Sequence, residues 1–209
     1  MFEFLILHRY EFLLQTKSNQ FGFKSKLSTE MCIFSLKQIV EYYNMYGSPV
    51  YVCFLDASKA FDKLNHWMLF SKLLDRCIPC IIVRILLNLY SNQKYVVRWA
   101  SCFSDHFYVS NGAPQGRILS PSFFNVYMDD LSCMLNKCDI GCNLNGVNTN
   151  HMFYADDTAL MASCPNALQT LLNICSEYIK RHELLYNAKK TKCMIFNPKW
   201  IKKTCVVLK

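Results

Sequence analysis

The chain has 209 residues, 52% of them hydrophobic and 18% charged, which excludes a disordered segment and leaves room for one domain with a real core, or one domain and part of a second. The apolar opening from Met1 to Leu7 carries Glu3 and runs into His8, Arg9 and Glu11, so neither a secretory leader nor a bilayer span fits it. The net charge of +8 suits a polyanionic partner, although seven lysines with no acid after Glu183 (189, 190, 192, 199, 202, 203 and 209) also describe a solvated tail.

Twelve cysteines are scattered, mostly among apolar residues, and read for the most part as reduced core residues of an intracellular protein. In chain order, Asn19 to Lys26 is a polar loop with one glycine and two lysines. Ser28 then fits an N-cap, and apolar residues at 32, 33, 36, 39, 40 and 43 keep a helical period until Gly47-Ser48-Pro49 ends it. Val50 to Leu55 is a continuous apolar, β-rich run that stops at Asp56, the pattern of a central strand delivering one carboxylate at its end. Asp62 is expected on a helix surface or in an ion pair.

Helices are predicted over 66–75 and 79–91. Cys77 and Cys80 separate them, with Cys138 and Cys142 as a conceivable second half, but the spacing suits neither a zinc site nor a redox pair. Tyr95–Trp99 and Phe103–Val109 form a hairpin pattern. The loop from Asn111 to Pro121 holds Gly112, Gln115 and Gly116, and Ser120-Pro121 opens the next helix. No glycine or proline interrupts that helix up to Asn136, and Phe124, Met128, Leu131 and Leu135 share one stripe. Its Asp129-Asp130 pair is therefore mid-helix, facing solvent or capping a neighbour. After a turn-rich connector at 143–150, a further helix spans 165–182, and a basic turn leads into a strand ending at Phe196.

The stretch His151 to Ala162 places Asp156 and Asp157 between two short apolar runs. Burying unpaired carboxylates is costly, so such a pair belongs at a turn facing something positive, with Mg2+ the candidate ion; a solvent-exposed hairpin turn is the alternative. Asp56 offers the third acid.

A strand ending in Asp56, a Gly-Gln-Gly loop opening a helix and an Asp-Asp turn, in that order, resemble the palm of reverse transcriptases of non-LTR (LINE-type) retrotransposons. Phe54 to Asp62 is similar to that family's first catalytic motif, Asn111 to Pro121 with Phe124-Asn125 to its second, and Tyr154-Ala155-Asp156-Asp157 to its third. Asn187 to Thr191 is similar to the next motif, and Asn19 to Lys24 with Ser28-Thr29 to a fingers motif. Tyr127-Met128-Asp129-Asp130 matches the retroviral catalytic box letter for letter, but its helical setting argues against it.

The resemblance implies an α+β right-hand palm, an antiparallel sheet backed by helices, over residues 49–197, with partial fingers at 1–48, a basic tail at 198–209 and the thumb absent. It implies that Asp56, Asp156 and Asp157 bind two Mg2+ ions, with Mn2+ possible, and that Lys190 protonates pyrophosphate. Phe61 would select dNTPs, while Gln115, Gly116, Ala57 and Lys24 would lie against substrate or template. The expected partners are an RNA template, a DNA primer and dNTPs, with no membrane, in the cytoplasm or nucleus if the element is active. Glu183 departs from the family's usual glycine. The chain opens just before the Gln-Phe-Gly-Phe motif, as a genomic fragment would, so an inactive remnant that at most binds RNA or DNA is the alternative to an active polymerase. An RNA-dependent RNA polymerase is disfavoured by Phe61.

Overall fold

The structure, a computed structural model, describes residues 1–198, so most of the basic tail, 199–209, lies outside the described residues. The helices are α1 (Phe2–Tyr10), α2 (Thr29–Met45), α3 (His66–Asp75), α4 (Cys80–Ser91), α5 (Ser120–Lys137) and α6 (Pro165–Arg181). The strands are β1 (Val50–Leu55), β2 (Lys94–Tyr95), β3 (Arg98–Trp99), β4 (Cys102–Phe103), β5 (Phe107–Tyr108), β6 (Asn143–Leu144), β7 (Val147–Asn148), β8 (His151–Tyr154), β9 (Asp157–Ala162) and β10 (Lys192–Phe196). They divide into two compact units. Among the described residues, one comprises Thr16–Ser58 and 128–198, the other Met1–Gln15 and Lys59–Tyr127.

The first unit is organised around an antiparallel sheet in the order β10-β1-β9-β8. The apolar run predicted as a central strand is central, and because side chains alternate across a strand, it contributes to two cores. Val50 and Val52 join Met152, Met161 and Ile39 of α2 on one face. Cys53 and Leu55, with Leu160 and Ala162 of β9, are buried on the other, where α6 packs. Ile39 is 2% exposed, and truncating such a side chain to alanine costs about 2–5 kcal/mol. Ser28 caps α2 as expected, its Oγ accepting from the Met31 amide at 3.4 Å. The last part of α5 closes the same face as α6 through Ser132, whose Oγ lies 2.8 Å from His151 Nε2.

The second unit packs α3 and α4 with the start of α5, burying Leu69, Leu73, Leu86 and Phe123. Asn65 caps α3 by accepting from the Met68 amide at 3.2 Å. The loop before α5 is fixed at several points. Gly112 and Ala113 amides donate to Leu64 and Phe61 carbonyls, both at 2.7 Å, and Ser120 Oγ donates to the Pro114 carbonyl at 2.7 Å. Glu3 of α1 receives Arg117 at 2.7 Å and the Ile118 amide at 3.0 Å, so Arg117 serves the loop's own anchoring.

Three expectations change. Of the eleven described cysteines only Cys53, Cys142 and Cys175 are buried, while Cys77, Cys80, Cys102, Cys164 and Cys193 are exposed thiols, so most are not core residues. Burial of a neighbour does not carry over: Ile78, between Cys77 and Cys80, is 3% exposed while both thiols face outward. Asp62 sits on an irregular turn, where Lys59 takes a φ of 51°, and not on a helix. The connector at 143–150 carries a small hairpin, β6 with β7.

Candidate active site

Two structural facts bring the predicted carboxylates together. β1 pairs with β9 so that Leu55 faces Thr158, and extending that register by one step sets Asp56 across from Asp157. In the neighbouring hairpin Tyr154 pairs with Asp157, leaving Ala155 and Asp156 as a two-residue loop. Such a loop needs its first residue at positive φ, and Ala155 has φ 58°. Asp56 and Asp156 are half-buried, and Asp157 is exposed.

Lys190 arrives by a separate route. After α6 the chain pairs with the segment beyond β1: Ala57 bridges Tyr186, the Ser58 amide donates to the Leu185 carbonyl at 2.8 Å, and the Asn187 amide donates to the Asp56 carbonyl at 2.8 Å. Asn187 then folds the chain back on itself, its Oδ1 accepting from the Lys189 amide at 3.1 Å and its carbonyl from the Thr191 amide at 2.9 Å. This turn places Lys190 Nζ 3.3 Å from Asp56 Oδ1. With the lysine side chain 67% exposed, the ion pair contributes little stability, on the order of 0–1 kcal/mol.

The electrostatics are those of crowded acids. Burial pushes the Asp156 carboxyl above its ordinary pKa, and Asp56 adds to the rise while Lys190 opposes it. Asp157 is raised by desolvation first, then by repulsion from Asp156 and Asp56. Among the described residues no three His, Cys, Asp or Glu side chains are drawn together around a single ion position. The carboxylates therefore sense one another without yet converging. Beside them opens a cleft of about 450 Å³, lined by Asp56, Asp157 and Lys190 together with the apolar Ile33, Leu36 and Phe54.

The reverse transcriptase (RNA-dependent DNA polymerase) family profile matches residues 5–206, nearly the whole chain. The chain belongs to the reverse transcriptase family. It is 33% identical over 140 residues to the retrovirus-related Pol polyprotein of a Drosophila melanogaster type-2 retrotransposable element, covering 67% of this chain and 13% of that protein. It is 29% identical to the probable RNA-directed DNA polymerase of Drosophila melanogaster transposon BS, over 83% of this chain and 19% of the relative. The chain thus spans under a fifth of the length of these relatives. Telomerase from Candida tropicalis, solved with a fragment of telomeric RNA, has a similar fold: the TM-score is 0.67 over 92% of this chain and 33% of the telomerase, at 13% identity.

For this reverse transcriptase chain, membership implies dependence on a divalent metal. The remaining residues predicted from sequence are distributed between its two units. Asp56, Ala57, Asp156, Asp157, Lys190 and Lys24 belong to the sheet unit; Phe61, Gln115 and Gly116 belong to the other. Phe61 stacks on Phe124, ring centroids 4.4 Å apart and 20° from parallel. Gln115 and Gly116 are exposed, and Gly116 has φ 89°. Lys24 does not point outward toward a ligand: its Nζ donates to the carbonyls of Thr16 at 2.9 Å and Lys17 at 2.6 Å, and burial lowers its pKa. One residue was missed by reading the sequence. Gln20, 3% exposed, bonds to the Asp-Asp turn from 135 positions away; its signal was its place in the Gln-Phe-Gly-Phe motif, which points to the fingers and not to this turn.

Proposed function

We propose that this chain is the palm of an RNA-directed DNA polymerase, which transfers a dNMP from a dNTP to a primer 3′-hydroxyl along an RNA template. The observation that carries this reading is the meeting of Asp56 with the Asp156-Asp157 turn beside Lys190 at one end of the sheet. The donor set fits a divalent ion. Its oxygens are hard, and two of its carboxyls are raised by desolvation and repulsion, so their charged forms gain from an approaching cation. Asp56 and Asp156 would hold two Mg2+ ions, or Mn2+, with Asp157 in support. Bound there, such ions supply activation of a hydroxyl and neutralisation of phosphate charge.

The chain's own groups do the rest. Lys190, exposed and paired with Asp56, would hand a proton to departing pyrophosphate. Phe61, backed by Phe124, is the bulk that refuses a ribose 2′-hydroxyl. Gln115 and Gly116 would lie against template and nascent base pair, with Gly116 offering backbone that no side chain screens; Ala57, 4% exposed beneath its bridge to Tyr186, is instead a core residue under Asp56.

The test is primer extension by the purified chain on poly(rA) primed with oligo(dT), in Mg2+. Extension with dNTPs but not NTPs, lost in Asp156→Asn, is the expected result. No extension by the wild-type chain overturns the reading.

A further inference from the structure

The turn that carries Asp156 and Asp157 is costly as a hairpin on its own. Ala155 takes a left-handed φ of 58°, which an L side chain resists, and the two residues after it are like charges. A group from outside the hairpin holds it. Gln20 Oε1 accepts from the Ala155 amide at 3.1 Å, and Gln20 Nε2 donates to the Ala155 carbonyl at 3.3 Å, so one side-chain amide engages both backbone groups of one residue. The amide is itself oriented, because the Gly22 amide donates to the same Oε1 at 2.8 Å. Gln20 and Ala155 are 3% and 8% exposed, which leaves water poorly placed to substitute.

The segment around Gln20 is shaped to reach this turn. A Cβ at position 22 would stand 2.2 Å from the Ala155 nitrogen, so the close approach requires glycine there. Upstream, the Phe21 amide donates to the Phe153 carbonyl and the Phe153 amide to the Asn19 carbonyl, both at 2.8 Å. Asn19 Nδ2 donates to the His151 carbonyl at 3.1 Å. These bonds dock the segment along β8. The Gln20 bonds act on the loop beyond it.

We propose that Gln20 is a positioning residue for the Asp156-Asp157 pair: its amide holds the Ala155 backbone in the left-handed turn that presents both carboxylates beside Asp56. The inference rests on reading those carboxylates as ligands of a divalent ion. The full chain is titrated with Mn2+, following the free ion by electron paramagnetic resonance, and exchange of the Ala155 amide hydrogen is measured alongside. Gln20→Ala is expected to weaken Mn2+ binding about tenfold or more and to speed Ala155 exchange. Gln20→Met, which fills the same volume without either bond, is expected to do the same if the alanine variant fails to fold.

Two further variants separate positioning from general support. Asn19→Ala removes the neighbouring bond to His151 but not the hold on Ala155, and keeps wild-type Mn2+ affinity. Ala155→Gly placed in the Gln20→Ala background restores part of the lost affinity, because glycine adopts the turn without strain. Wild-type affinity and exchange in both Gln20 variants, or an equal loss in Asn19→Ala, overturns the proposal. If the wild-type chain binds no Mn2+, or Asp156→Asn binds it equally well, the carboxylate reading falls, and Ala155 exchange then decides whether Gln20 holds the turn.

Discussion

Tyr127-Met128-Asp129-Asp130 and Tyr154-Ala155-Asp156-Asp157 differ at one letter and do opposite things. The first lies within α5, where backbone bonds are already closed. Its Asp129 carboxylate is 8% exposed and accepts from the Lys17 amide at 2.7 Å, while Asp130 turns to solvent. The second pair straddles a two-residue hairpin loop, so its acids crowd against Asp56, and two of the three are pushed toward protonation. The contrast teaches that an acidic pair gains chemical meaning from the backbone beneath it. A helix ties the carboxylate into structure, and a strand turn leaves it half-exposed against its like-charged neighbours.

The sharpest way to break that comparison is to neutralise each pair in turn. Asp156→Asn lowers primer extension by about a thousandfold, the loss of several kcal/mol of charge stabilisation, whereas Asp130→Asn stays within about twofold of wild type. Next in size is the pH dependence of the hairpin's anchor, His151. It is 0% exposed between Ser132 Oγ at 2.8 Å and Asn150 Oδ1 at 2.6 Å, and burial lowers its pKa from 6.5 to about 4. The unfolded chain therefore binds this proton more readily than the folded one. Stability is fully present above pH 6.5 and falls by about 3 kcal/mol as the pH drops toward 4, a slope that urea unfolding resolves and that His151→Gln removes.

Smaller effects test the structural role of the helical pair. Asp129→Ala orphans the Lys17 amide and costs about 1–3 kcal/mol in chemical denaturation, with activity per folded molecule unchanged. The opposite sign is expected at the site. Because the folded Asp156 carboxyl is raised, its charge works against folding at neutral pH, so Asp156→Asn raises the melting temperature there, by less than the Asp129→Ala loss. That gain fades as the pH falls through the carboxylate range, where the wild-type acid protonates and no longer repels its neighbours.

Local pattern carried much of this reading. The Ser28 cap, the apolar run of β1 and the period of α6 each specify their element within a dozen residues, and so does the turn at Asp156. Even the departure at Glu183 becomes intelligible, since the residue after the end of α6 takes φ 58°, where glycine fits without strain. What was illegible depends on distant partners. Gln20 reads as part of a fingers motif until the fold lays it on Ala155, and Lys24 reads as a substrate contact but is tethered to the Thr16 and Lys17 carbonyls in space. Cysteine burial failed for a related reason: apolar neighbours in sequence say little about whether a thiol on a turn, a cap or an edge strand faces inward.

The order of strands in the sheet also governs when the site can exist. β1 lies between β9 and β10, and Lys190 meets Asp56 from 134 positions away along the chain. During synthesis β1 leaves the ribosome long before either neighbour, an apolar ribbon with both edges open and a strong tendency to aggregate. The central strand is made early and satisfied late. Pairing across so long a loop is slow, so the meeting of Lys190 with Asp56 comes as one of the last events of folding, and a chain cut short of Lys190 lacks that contact.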